Sequence, residues 1–253
     1  MTMGARSIGI AVVALSLAAG TSSRAAMMTL GPVKDNTIWE SVTGSLSNGA
    51  GQYMFAGVTG VSVATRGLLA FDVAGSVPAG SVVNSVSLMM NVSKSRDGSG
   101  TQPVQLRRVL TDWGEAGSIG AGLGEGQGGP AQTGDATWLN TFFPGSSWAS
   151  AGGDFSGTTS ASRDVTGVGS YTWGSTAQMV ADVQDWLDNP ANNFGWMLLT
   201  NETTVPTAKR FDSKDNLIPA VRSKLEIDFT VPEPGSMLIL VAATAGLALR
   251  RQR

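Results

Sequence analysis

Ser85-Val86-Ser87-Leu88-Met89-Met90-Asn91-Val92 decides the fold. Val86, Leu88, Met90 and Val92 alternate with Ser85, Ser87, Met89 and Asn91. A period of two over that length puts one face in a core and the other in water, which is a half-buried strand. Lys224–Thr230 repeats the pattern, with Leu225, Ile227 and Phe229 set against Lys224, Glu226, Asp228 and Thr230. Arg66–Val73 places Leu69, Phe71 and Val73 on one face. Phe194–Thr200 is apolar on both faces, as a central strand is. Pro78-Ala79-Gly80 and Asp97-Gly98-Ser99-Gly100 mark turns between strands. With 33 glycines and many short strands, the economical solution is all-β, an antiparallel sandwich of two sheets.

One helix interrupts the strands. Ser175-Thr176-Ala177-Gln178 has the spacing of a capping box, with Ser175 accepting from the backbone and Gln178 reaching back. Met179, Val180, Val183, Trp186 and Leu187 then form a helical stripe that closes one end of the sandwich, and Asn189-Pro190 stops it. Asp182 and Asp185 fall on the polar side and read as a solvated face. Trp39, Trp186 and Trp196 read as core.

Both ends of the chain are processing signals rather than fold. Arg6 precedes a short apolar run, Ile8–Ala19. Ser23 and Ala25 are the small residues that a signal peptidase reads, which puts the cut between Ala25 and Ala26. At the other end, Val231-Pro232-Glu233-Pro234 is followed by an uncharged run, Gly235–Leu249, then Arg250, Arg251 and Arg253. As a helix that run is about 22 Å long at about 1.5 Å per residue. A bilayer core is about 30 Å thick, so the tail enters a membrane only as a transient stop. The arginines stay on the cytoplasmic side and the body lies outside. The division is 1–25 signal peptide, 26–231 body and 232–253 sorting tail.

The tail resembles the PEP-CTERM sorting signal in its Pro232-Glu233-Pro234 motif, short apolar helix and terminal arginine cluster. That resemblance implies export, with signal peptidase and an exosortase as processing partners and the cell surface or extracellular matrix as destination.

Without its ends the body has 12 basic and 18 acidic residues, a net charge of −6. That balance argues against nucleic acid, whose phosphates require clustered lysine and arginine, and against anionic polysaccharide unless a cation bridges. The chain has no cysteine and no histidine. Disulfides, Cys/His zinc sites and Ser-His-Asp or Cys-His catalysis are therefore excluded. Any chemistry here rests on carboxylates, Lys, Tyr or a metal held by oxygen.

Asp35-Asn36-Thr37-Ile38-Trp39-Glu40 resembles the motif of the DNRLRE-domain family, with Thr37 and Trp39 in place of its arginines. Further pieces follow in the family's order: Arg66–Asp72, Val77–Ser81, Thr111–Glu115, Ala136–Trp138, Val183–Leu187, Asn192–Gly195 and Arg210–Lys214. The resemblance implies a jelly-roll-like sandwich of carbohydrate-binding-module type, and so a polysaccharide or matrix glycan as partner. Trp113, Trp138 and Trp148 lie in glycine-rich, loop-like surroundings, where exposed indoles stack on sugar rings. Asp112 and Glu115 are the acidic loop residues suited to calcium as a cofactor. The alternative is a secreted lyase or hydrolase using the same two carboxylates as acid and base. Gly124-x-Gly126-x-x-Gly129 has the spacing of a dinucleotide loop. It lies in the glycine-rich stretch Gly117–Gly134, with no strand before it and no helix after it, so it reads as surface loop.

Amino-terminal sequencing of the exported protein is expected to begin at Ala26 or within a few residues of it. A sequence beginning at Met1 or Thr2 would refute the signal-peptide reading.

Overall fold

The computed structural model describes residues Arg24–Pro232. The expected signal helix and membrane-type helix lie outside them. Arg24–Val231 is one compact unit, mostly β, and among the described residues no helix is long and apolar enough to cross a membrane. The strands are β1 (Arg24–Leu30), β2 (Lys34–Trp39), β3 (Leu46–Ser47), β4 (Tyr53–Val58), β5 (Ala64–Ala70), β6 (Val82–Ser95), β7 (Gln102–Val109), β8 (Gly129–Pro130), β9 (Phe155–Val165), β10 (Gly169–Trp173), β11 (Trp196–Leu199), β12 (Lys209–Asp212) and β13 (Lys224–Val231). The one α-helix among the described residues, α1, is Ala177–Asp188.

All the strand pairs described are antiparallel, and the main path runs β1-β13-β6-β12-β4-β5-β11-β7-β9. Strand β6, at 14 residues, is the hub, pairing with β10, β12 and β13. Its alternation holds: Val86, Leu88, Met90 and Val92 are all at most 1 % exposed. Leu225, Ile227 and Phe229 of β13 join them in the main core, as do Val104 of β7 and Val165 of β9. Residues from both ends of the strand path thus share one interior, which requires the sheet to fold over on itself. Turns at Gly80 and Gly98 have φ of 79° and 76°, the left-handed region where glycine is at home.

Strands β5 and β11 are buried on both faces. Leu69, Trp196 and Leu198 enter the main core. Leu68, Ala70 and Met197 point the other way into a second cluster. That cluster is completed by Val109 at the end of β7 and, from the segment joining β7 to β9, by Trp113, Ala136, Trp138 and Trp148.

Helix α1 closes the main core with Met179, Val183, Trp186 and Leu187, and Trp186 meets Trp196 at 4.5 Å between ring centroids. Its cap differs from the expectation. Thr176 is the N-cap and accepts from Met179 N at 3.1 Å. Ser175 Oγ instead accepts from Val86 N, and Gln178 turns to Asp182. Asp182 is also not solvated. It is 1 % exposed and accepts from Trp196 Nε1 at 2.9 Å, from Gln178 Nε2 at 2.9 Å and from the Ser160 hydroxyl. Sequence spacing put it on the polar side of the helix, but β9 and β11 cover that side and satisfy the carboxylate. Asp185 pairs with Arg108.

Trp186→Ala removes a fully buried indole and leaves a cavity under α1. It is expected to lower the unfolding free energy by about 3–5 kcal/mol, read from denaturant titration. A change below about 1 kcal/mol would show that this helix face is not packed as described.

Candidate functional site

The outer face of β4, β12 and β6 carries a groove built by register. Met54, Phe211 and Val92 point into the core, so their strand neighbours point out. Arg210 lies opposite Phe55 on one side and Lys94 on the other. Phe55, Lys94, Arg96 and Arg210 line the groove with the glycine-rich segment around Leu123 and Gly124. The Arg210 guanidinium sits 3.7 Å over the Tyr53 ring, and its Nε donates to Ser93 Oγ at 3.1 Å. Lys94 and Arg96 are exposed. Among the described residues no carboxylate forms a salt bridge with any of these three cations. Leu123 adds an apolar rim at 98 % exposure.

The glycine-rich wall is anchored by one acid. Glu125 takes a φ of 65° at the end of a 3-10 turn, Leu123–Glu125. Its buried carboxylate accepts from Asn48 Nδ2 at 2.9 Å, Gln52 N at 3.0 Å and Tyr53 N at 3.1 Å. The groove's other support is Lys209, with no exposed surface. Its ammonium donates to Ser95 Oγ, Ser99 Oγ, Gly100 O and Thr166 O at 2.7–2.9 Å. All four acceptors are neutral oxygens, and burial lowers the lysine pKa.

The three tryptophans expected to stack on sugars are placed otherwise. Trp113, Trp138 and Trp148 are 0 %, 9 % and 6 % exposed. Trp113 Nε1 donates to Phe194 O and Trp148 Nε1 to Thr137 O, both at 2.8 Å. Trp138 lies under the Arg66 guanidinium at 4.7 Å. An indole enclosed in this way has no free face for a sugar ring. The surrounding chain is irregular, but it folds onto the apolar outer face of β5 and β11, and the indoles supply the cover. Trp173 is likewise buried and donates to Val104 O.

The acidic pair expected from the loop is split. Asp112 pairs with Lys34 at 2.7 Å. Glu115 joins a different group, in which Asp35, Glu115 and Asp215 each bring an oxygen within 4.8 Å of the others. Lys214 Nζ lies 3.0 Å from both Glu115 and Asp215. Burial, the largest single influence, lowers its pKa, but the hydrogen bonds and charges of Asp215 and Glu115 together outweigh it and the net shift is upward. Asp35 comes from β2, the strand that carries the Asp35–Glu40 stretch. It is 1 % exposed, and burial pushes its pKa up from 3.8 to about 8, against the backbone hydrogen bond from Lys214. Burial raises Glu115 too. Asp35 and Asp215 stand near opposite ends of the body, and Arg210 is remote in the chain from Lys94 and Arg96, so sequence spacing could not gather either set.

The cut expected between Ala25 and Ala26 would fall two residues into β1. There Arg24 is opposite Val231 and Ala26 opposite Phe229, so the expected cleavage point lies beside the last residues of β13. Val231 closes β13 and Pro232 follows it; Glu233, Pro234, Arg250, Arg251 and Arg253 lie outside the described residues. Residues 230–252 match the PEP-CTERM protein-sorting motif. That motif indicates export and exosortase-dependent sorting to the surface. No curated protein matches the chain.

Asp35 yields a pH signature. A carboxyl whose folded pKa is raised stabilises the fold fully below its unfolded pKa, and that contribution is lost as pH rises through the folded value. Thermal stability is therefore expected to decline between pH 3.8 and about 8 by an increment that Asp35→Asn removes. Parallel pH profiles of the melting temperature for the two proteins would show that Asp35 is not the titrating group.

Proposed function

We propose that this is an exported, non-catalytic protein of the cell surface or extracellular matrix, whose jelly-roll-like domain binds an acidic polysaccharide along the Lys94–Arg96–Arg210 groove. The observation that carries the reading is the set of three cations on one outer face with no carboxylate partner among the described residues. Unpaired guanidinium groups are suited to bidentate contact with carboxylate or sulfate groups on a sugar chain. Arg210, seated on Tyr53 and tied to Ser93, holds its fork in one orientation. Leu123, on the exposed rim, supplies apolar surface for the C–H faces of the rings. The body's net negative charge argued against such a ligand, but binding follows the local field, and this face is locally positive.

The DNRLRE-like stretches agree with a carbohydrate-binding module. The sorting tail agrees with a destination rich in secreted polysaccharide, with the exosortase acting at Pro232-Glu233-Pro234 and signal peptidase at Ala25. A non-catalytic role is the better reading because Asp112 and Glu115, the loop carboxylates suited by type to act as acid and base, are each held by a lysine.

A glycan array is expected to return uronate- or sulfate-bearing chains and not neutral ones, with binding that weakens as salt screens the groove. Arg210→Ala is expected to weaken that binding about tenfold, or ~1.4 kcal/mol, without changing thermal stability. Selective retention of neutral glycans, or equal binding by Arg210→Ala, would refute the groove.

A further inference from the structure

Asp35, Glu115 and Asp215 form a cluster distinct from the groove residues, and it has a feature that their lysine does not resolve. Lys214 donates from its ammonium to Glu115 and Asp215 and from its backbone N–H to Asp35 Oδ2 at 2.6 Å. Asp35 Oδ1 is left with no hydrogen-bond partner and no contact with solvent. A buried carboxylate oxygen without a partner carries the full cost of its lost hydration. It belongs to the one fully buried acid of the three, whose carboxyl brings an oxygen within 4.8 Å of two more carboxylates.

We propose that Asp35, Glu115 and Asp215 form a calcium site, with Asp35 contributing its unpartnered oxygen and the Lys214 ammonium competing for the other two carboxylates. Three hard oxygen donors select a hard cation, and calcium takes carboxylates in irregular geometry. Oxygens on opposite sides of calcium are about 4.6–5.2 Å apart, given ligand distances of about 2.3–2.6 Å, whereas those around magnesium are about 4.0–4.2 Å apart. The three oxygens lie within 4.8 Å of one another, inside the span that calcium accommodates. Three carboxylates, one ammonium and one divalent cation sum to zero charge, so loading the site leaves no excess charge in it. A cation here would tie β2 to the segment after β12 and to the segment after β7, three stretches far apart in sequence.

The test is calorimetry of the purified, chelator-treated full chain against calcium chloride alone, with thermal melts in parallel. Saturable binding of one calcium per chain, with a raised melting temperature, is expected. Asp215→Asn, at the more exposed edge of the cluster, is expected to weaken binding at least about tenfold while leaving the calcium-free melting temperature unchanged. Lys214→Met, which removes the competing ammonium but keeps the backbone N–H, is expected to tighten it. Absence of saturable binding in both wild type and Lys214→Met would overturn the proposal, leaving Lys214 as the cluster's only cation. Binding unaffected by Asp215→Asn and Glu115→Gln would place the ion elsewhere and overturn it as well. Magnesium binding as tightly as calcium would overturn the choice of ion. None of these outcomes depends on a glycan, so failure of this site and failure of the groove are separable.

Discussion

Strands β5 and β11 are apolar on both faces, and most of the architecture follows from covering them twice. Burying apolar surface contributes roughly 25 cal/mol per Å², so a two-faced strand left with one face in water would forfeit much of its stabilisation. The main core covers one face with β6, β10, β13 and α1. The other face has no second sheet of comparable size among the described residues. It is covered by the irregular chain between β7 and β9, which brings Trp113, Trp138 and Trp148 down onto Ile38, Leu68 and Met197. The same requirement that orders this loop removes its tryptophans from the surface.

A core without cysteine also has to accommodate several buried polar groups, and each is handled locally. Asp182 joins α1 to β9 and β11 through donors from three side chains. Glu125 receives two backbone N–H groups and an amide. Lys209 is enclosed by four neutral oxygens. Each buried charge thereby recovers hydrogen bonds that replace its hydration. Asp35 departs from the pattern, because one of its oxygens is unmatched and its pKa is displaced accordingly.

The groove depends on this same polar framework. Glu125 fixes the glycine-rich wall against β4, and Lys209 supports the β12 edge from beneath. Arg210 is left on the outer face between two fixed walls. Arg210, held by Tyr53 and Ser93, has little conformational freedom left to lose, which is the physical basis of preorganisation.

Local pattern was enough for several elements. The alternation of Ser85–Val92 and Lys224–Thr230, the two-faced strand around Trp196, the α1 stripe with Trp186 inward, and the sorting tail are all set by residues within a few positions of one another. Period and composition report such features directly. What only the tertiary structure decided were relations between distant segments. The loop tryptophans are buried because a sheet face elsewhere needs cover. Asp182 is buried because β9 and β11 close over the polar side of its helix. Thr176 rather than Ser175 caps that helix because β6 engages Ser175. The positive groove and the Asp35–Glu115–Asp215 cluster exist because strand register brings residues far apart in the chain into contact. A net charge or a loop-like composition is a property of the chain, whereas exposure, pairing and local field are properties of what the chain folds against.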